Sequence, residues 1–326
     1  MKAAVVFDLQ QGPVWSDFRD PQPGEHQALV EVRAAAISHV VKGRASGKHY
    51  SFDGRLPFVP GIDGTGILPG GERVYFAFPV APWGSMAQRA PVALNHCLPL
   101  PDALDDITAA AMANPGMSAW AALVKRAGMK AGETVLINGA TGSAGQLAVQ
   151  IARFLGARKV IACGRNVEKL ATLSADETVN LSQDEADLRT QFAGLAAQQI
   201  DVVVDYLWGR SAELLLPALA KHSPGNAPVR FIQVGSLIRR RYLSQWRGAT
   251  LLAAAADGQR NWQPFCAPAA GRHRGDAAGR RRRRIDYRHD SPAASRGRHG
   301  VAAGRQPETH RLCRRLKKSL LHKSWG

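Results

Sequence analysis

Between Thr134 and Gly145 the chain reads T-V-L-I-N-G-A-T-G-S-A-G, an apolar run that passes without a break into glycines at 139, 142 and 145. The residues after it, through Gly156, place Leu147, Ile151 and Leu155 on one helical face, with Gly156 as a C-terminal stop. A strand that ends in G-x-x-G-x-x-G and opens a helix leaves few architectures open. The glycines permit a tight turn, a close backbone approach and close packing of helix on strand, and the helix N-terminus offers free N–H groups to an anion. The expected ligand is the pyrophosphate of a dinucleotide, cradled by Gly139, Thr141, Gly142, Ser143, Ala144 and Gly145.

The surrounding segments agree with that reading. From Glu133 onward strand-like and helix-like runs alternate: TVLIN, SAGQLAVQIARFLG, KVIAC, VEKLATL, DVVVDY, SAELLLPALAKH and VRFIQVGS. Near-continuous apolar strands separated by helices predict a parallel sheet covered on both faces. The first hundred residues have a different texture. KAAVVFD, a Pro/Gly turn at Pro21 to Gly24, the alternating ALVEVRAAAIS, and RVYFAF amid frequent Pro and Gly predict a half-buried β domain. Helical signals begin at ALDDITAAAMANPG. The fold class expected is therefore α/β, a β-rich domain followed by a doubly wound parallel sheet.

About 20 residues past Gly145, where an enzyme selecting NAD places a carboxylate for the ribose 2′-hydroxyl, the chain reads Cys163-Gly164-Arg165-Asn166. A carboxylate would repel a 2′-phosphate, whereas Arg165 can pair with it, so the expected cofactor is NADPH. The four cysteines (97, 163, 266, 313) are far apart and form no CxxC pair, which argues against a disulfide framework and a structural zinc site. No leader or membrane-spanning run is evident, and a cytoplasmic location is expected.

Together these residues resemble the zinc-independent quinone oxidoreductase branch of the medium-chain dehydrogenase/reductase, alcohol dehydrogenase-like, superfamily. The resemblance covers roughly residues 1–236. It is carried by AAAIS…RASGKHY (34–50), PFVPGIDGTG (57–66), ANPGMSAWAAL (113–123), GATGSAG (139–145) and DYLWG (205–209). It implies a GroES-like catalytic domain over 1–112 and a Rossmann NADPH-binding domain over 113–236, with the active site in the cleft between them.

The same resemblance bears on chemistry. Zinc-dependent relatives use a Cys near the position of Ser38 and the His of a G-H-E motif, which here reads Gly61-Ile62-Asp63. Isoleucine cannot ligate zinc, and His39, His49 and His96 lack ligand spacing. Without a Lewis acid, hydride acceptors already activated are implied, quinones or α,β-unsaturated carbonyls. The family places the nicotinamide near Asn114, Ser118 and the strand end Gln233, Gly235 and Ser236. Arg44 and Tyr50 fall in the segment that faces the quinone in relatives, where Arg44 could steady an oxyanion and Tyr50 could stack or donate a proton. Relatives often carry Asn and Asp where this chain has Ile37-Ser-His-Val-Val41. Asp205 and Trp208 are expected to hold a strand end and pack the core.

Charge divides the chain sharply. Residues 1–236 carry 21 basic and 21 acidic side chains, and residues 237–326 carry 22 and 5, so the whole net charge of +17 lies in the last 90 residues. That segment is Arg-, Ala-, Gly- and Pro-rich and does not resemble the family. A one-base shift of permissible codons turns Arg240–Trp246 into GDIYLSG and Asp257–Pro264 into MGSGIGS, as the family pattern would have it. The segment 237–326 is accordingly read as an aberrant or disordered, out-of-frame tail. Loss of a sheet strand and of the return segment then predicts a chain of low stability or activity. Relatives commonly pair as homodimers through that missing edge. The alternative, a basic arm binding nucleic acid on a reductase-like scaffold, predicts strongly salt-dependent affinity, but aromatics are sparse and no recognition motif is present.

Overall fold

The computed structural model describes residues 1–225 and 228–235. The readings made of Ser236 and of the basic tail lie outside the described residues.

The first hundred residues form the β-rich unit. A hairpin pairs β1 (Lys2–Val6) with β2 (Pro13–Asp17). A five-stranded antiparallel sheet follows in the order β6-β3-β4-β5-β7, built from β3 (Gln27–Ala35), β4 (Asp63–Ile67), β5 (Arg73–Ala77), β6 (Arg89–Ala93) and β7 (Cys97–Pro99). Alternation in β3 buries Ala28 and Val30, and Val30 packs with Val74, Phe76, Ala90 and Val92. Strand β2 and the short helix α1 (His39–Ala45), capped by Ser38 Oγ accepting from Val41 N at 3.3 Å, are not anticipated from sequence.

Helix α2 (Asp106–Trp120) links the two halves. Asp105 caps its start, accepting from Thr108 N at 2.8 Å. Its first turn is fastened to the antiparallel sheet. Arg73 donates to Leu104 O and Asp106 Oδ1, and Thr65 Oγ1 donates to Asp106 O. Pro115 lies inside the helix, which nevertheless continues and then loosens into a π-helical turn at Ala121–Arg126. A boundary at 112/113 thus falls within one continuous helix.

The second half is a five-stranded parallel sheet in the order β10-β9-β8-β11-β12: β8 (Thr134–Asn138), β9 (Lys159–Gly164), β10 (Glu177–Asn180), β11 (Val202–Asp205) and β12 (Arg230–Gln233). Leu136, Ile161 and Val203 face α5 (Glu185–Ala197) and α6 (Arg210–His222). Ile137, Ala162 and Val204 face α3 (Ser143–Phe154) and the π-helical turn. Both faces are buried, as the unbroken apolar strands require. Strand order reverses between β8 and β11, and in sheets of this kind a ligand crevice opens at the carboxyl ends beside that reversal. Among the described residues β12 pairs with β11 alone.

Asp63, on the first residue of β4, is 1% exposed; Tyr75 donates to its Oδ2 at 3.0 Å and its Oδ1 has no partner. Burial pushes its carboxyl up to about 6, against the lowering effect of the Tyr75 hydrogen bond. The native state therefore holds this proton more tightly than the unfolded chain does. Stability falls as pH rises from about 4 to about 6, by a term on the order of 1–3 kcal/mol. Asp63→Asn, which mimics the protonated acid, is expected to melt above the wild type at pH 8 and level with it at pH 4. A difference in Tm that stays constant across that range would contradict the assignment.

Candidate functional site

The turn after β8 is built from backbone rather than side chains. Gly139 N and Ala140 N both donate to Cys163 O, at 3.0 and 2.8 Å, stitching the turn to β9. Gly139 has φ +95°, open to glycine at little cost. At Gly145 a Cβ would stand 2.2 Å from Gly139 O and 2.6 Å from Ala140 Cα, both backbone atoms. The first turn of α3 therefore lies directly against the backbone of the turn that leaves β8. Helix α3 starts at Ser143 with Gly142 as its N-cap and no capping side chain, unlike α1, α2, α4 (Val167–Ala171) and α5. Its first turn is the part of the cradle suited to an anion.

The neighbouring segments close around this turn. Gly164, at the end of β9, lies against Thr141, so that Arg165 emerges with an exposed side chain beside the cradle. Helix α2 runs along α3, where a Cβ on Gly116 would lie 3.9 Å from Leu147 Cδ1. Asn114 and Ser118, four residues apart, share one face of α2, and Ser118 Oγ donates to Pro115 O at 2.7 Å. The end of β12 is held by Asp205, whose carbonyl accepts from Val234 N at 2.8 Å and Gly235 N at 3.2 Å. Gln233, in the last register pair of β11 and β12, stands opposite Asp205. The structure thus brings Gly139 to Gly145, Arg165, Gln233 and Gly235 to the carboxyl ends of β8, β9, β11 and β12.

A buried polar network supports these ends. Asn138 and Asp205, each 0% exposed, close β8 and β11. Asn138 Nδ2 donates to Asp205 Oδ1 at 2.8 Å and to Ser211 Oγ at 2.9 Å. Leu207 N and Trp208 N donate to the same carboxylate at 3.0 and 3.1 Å. Burial raises the Asp205 carboxyl above its ordinary range, opposed by the three donors. Sequence reasoning assigns Asp205 to a strand end, and the structure puts it there. It misses Asn138 and Ser211, although a lone Asn closing an apolar strand signals a buried partner.

Arg44 and Tyr50 belong to a second cluster, on and after α1. Arg44 Nε is buried without a hydrogen-bond partner, and Tyr50 is 78% exposed with its ring 4.3 Å from that of His49. His49 Nδ1 accepts from Ser51 N at 3.2 Å and lies 2.8 Å from Ser51 Oγ. Desolvation, and then the Arg44 charge, lower the His49 pKa. His49, set aside as a metal ligand, packs its ring beside Tyr50 and bonds to Ser51. Among the described residues no three His, Cys, Asp or Glu side chains are grouped so as to hold a metal ion. No described helix is long and apolar enough to cross a membrane.

No family model matches the chain. Individual proteins do. The "Probable NADPH-dependent quinone reductase tdiC" of Emericella nidulans is 30% identical over 260 residues, 69% of this chain and 72% of that protein. A quinone oxidoreductase of Pongo abelii is 36% identical over 170 residues, 48% of this chain and 50% of its own, so the match spans half the length of that relative. Among solved structures, the quinone oxidoreductase of Thermus thermophilus, determined also in complex with NADPH, superposes with a TM-score of 0.58 at 25% identity, covering 82% of this chain and 88% of the other. The chain belongs to the quinone oxidoreductase family of the medium-chain dehydrogenase/reductase, alcohol dehydrogenase-like, superfamily.

Proposed function

We propose that the chain is an NADPH-dependent oxidoreductase that passes hydride to a quinone or an α,β-unsaturated carbonyl without a zinc ion. The observation that carries this reading is the Gly139–Gly145 turn, whose helix and strand backbones touch and whose helix start is uncapped. A diphosphate fits such a surface because no side chain stands between it and the amides. The Emericella relative, a probable NADPH-dependent quinone reductase, and the Thermus structure in complex with NADPH support the choice of cofactor.

When bound, the cofactor supplies a hydride from its nicotinamide C4. The chain's own residues supply position and charge. Arg165 would pair with the 2′-phosphate, Asn114 and Ser118 on α2 would border the nicotinamide end, and Gln233 and Gly235 would close its other side. Ile62 offers no lone pair where a zinc ligand stands in relatives, so an acceptor must bring its own electrophilicity. Arg44 steadies negative charge developing on the acceptor oxygen, and Tyr50 stacks on the acceptor or donates a proton.

Purified chain with its reading frame restored after Ser236 is expected to oxidise NADPH when a quinone or enone is added, at a rate unchanged by a strong chelator. Failure to retain either NADPH or NADH sinks the reading. Chelator-sensitive turnover sinks only its zinc-free part. Arg165→Ala tests the cofactor choice: the apparent constant for NADPH should rise roughly tenfold to a hundredfold, the worth of a charge-assisted pair, and that for NADH by much less. Equal rises for both would return Arg165 to an ordinary surface charge.

A further inference from the structure

We propose that Phe78 lines the acceptor site and sets a preference there for flat aromatic acceptors, naphthoquinones above all, over small aliphatic enones; this rests on the hydride-transfer reading above. Several departures from ordinary geometry meet at Ile62. Gly61, before it, is at φ 106°, and a Cβ there would stand 2.3 Å from Ser85 Oγ. That hydroxyl, and Oδ1 of Asp63 after it, are buried without a hydrogen-bond partner. Phe78 is tied to the same place, its N–H donating to Ile62 O at 2.7 Å, and is itself at φ 56°. Left-handed backbone and unpaired buried polar atoms gather at functional sites, where the surroundings hold them.

Phe78 is the one of these features that can meet a ligand. A left-handed backbone suits glycine or asparagine and carries a cost for a bulky aromatic residue. Core packing does not account for a ring at this position. Phe78 is 40% exposed and joins none of the hydrophobic clusters of the β-rich unit. Its ring meets that of His96 at 73° with centroids 5.7 Å apart, an edge contact and not a stack. Strand β5 ends at Ala77, opposite Asp63 in β4, so Phe78 leaves the sheet beside Ile62.

The chemistry of such a wall follows from its two side chains. Ile62 stands where relatives hold zinc, and it offers an acceptor contact but neither charge nor a hydrogen bond. An aromatic ring next to it adds dispersion and stacking, which scale with the flat area the acceptor presents. A naphthoquinone presents two fused rings. A four-carbon enone presents almost none, and gains little from Phe78.

The test uses the chain with its reading frame restored, saturating NADPH and two acceptors, menadione and methyl vinyl ketone. Phe78→Asn places a residue at ease in the left-handed region and removes the ring. Its kcat/KM for menadione should fall roughly threefold to tenfold, the worth of one aromatic contact, while kcat/KM for methyl vinyl ketone and KM for NADPH change by less than about twofold. Phe78→Gly, free of the backbone cost, should repeat that shift in selectivity, and Phe78→Trp, which restores a ring, should keep menadione turnover close to that of the unsubstituted chain. An unchanged ratio between the two acceptors in the Asn and Gly variants overturns the proposal, as do equal losses for both acceptors. Failure of the unsubstituted chain to oxidise NADPH with either acceptor overturns the hydride-transfer reading, and this inference with it.

Discussion

Gly145→Ala is expected to abolish useful nucleotide binding, lowering NADPH affinity by about a hundredfold or more, a loss of roughly 3 kcal/mol or greater. The new methyl would sit 2.2 Å from Gly139 O, 2.6 Å from Ala140 Cα and 2.8 Å from Gly139 C. No rotamer can relieve that clash, because every atom it meets is backbone. The turn must open, and with it the amides of the first turn of α3 leave the line of the diphosphate. Stability should fall as well, by about 1–3 kcal/mol, as for overpacking elsewhere. Gly142→Ala is the internal control: its nearest neighbour is Gly139 O at 3.7 Å and its φ of −77° suits any residue. Its Tm should stay near that of the wild type. Fluorescence titration with NADPH and a thermal melt read both quantities, and wild-type affinity in Gly145→Ala would falsify the cradle.

How much of this could be seen in the chain alone follows from the range of the forces involved. The strand, glycine turn and helix at 134–156 are legible because each part depends on its own neighbours in sequence. Helix α5 carries a signal that is easily passed over, since Leu188, Phe192 and Leu195 recur at helical spacing and are all buried. Strand β10 gives almost none: of its four residues only Val179 is buried, and its place in the sheet depends on β9. Helix α1 is seven residues long and carries Gly43 within it, too short for periodicity to declare itself. Helix α2 poses the opposite problem. Pro115 and Gly116 look like a break, yet the helix runs on because its faces pack against α3 and the antiparallel sheet.

The site divides in the same way. The glycine turn and the position of Arg165 just after β9 are legible because spacing from a single motif locates them. Asn138 and Ser211 escape because their partners lie 67 and 73 residues away in sequence, at Asp205 and Asn138. A polar residue ending an apolar strand announces only that a partner exists. Which partner it is depends on the parallel register that sets Asn138 beside Asp205.

That register makes Asp205 the residue whose loss should cost the fold most. Its carboxylate accepts from Asn138 Nδ2, Leu207 N and Trp208 N in an environment with no exposed surface. Asp205→Ala strands three buried donors and releases the left-handed turn at Trp208, which alone stores about 1–3 kcal/mol. The expected destabilisation is about 3–5 kcal/mol, or a fall in Tm on the order of 10 °C. Ser211→Ala removes one acceptor from Asn138 and should cost about 1 kcal/mol. Asp205→Asn should fall between them, since an oxygen at the Oδ1 position can still accept from Asn138 Nδ2, Leu207 N and Trp208 N, while the NH₂ at the Oδ2 position faces Trp208 N. Amide exchange separates loss of the turn from loss of the whole fold: in Asp205→Ala, Leu207 and Trp208 should exchange much faster than the centre of β8. Asp205→Ala melting within about 2 °C of the wild type, less than a shift of 1 kcal/mol would give, would mean that the carboxylate costs as much to bury as its hydrogen bonds return. The strand ends would then be held by backbone packing alone.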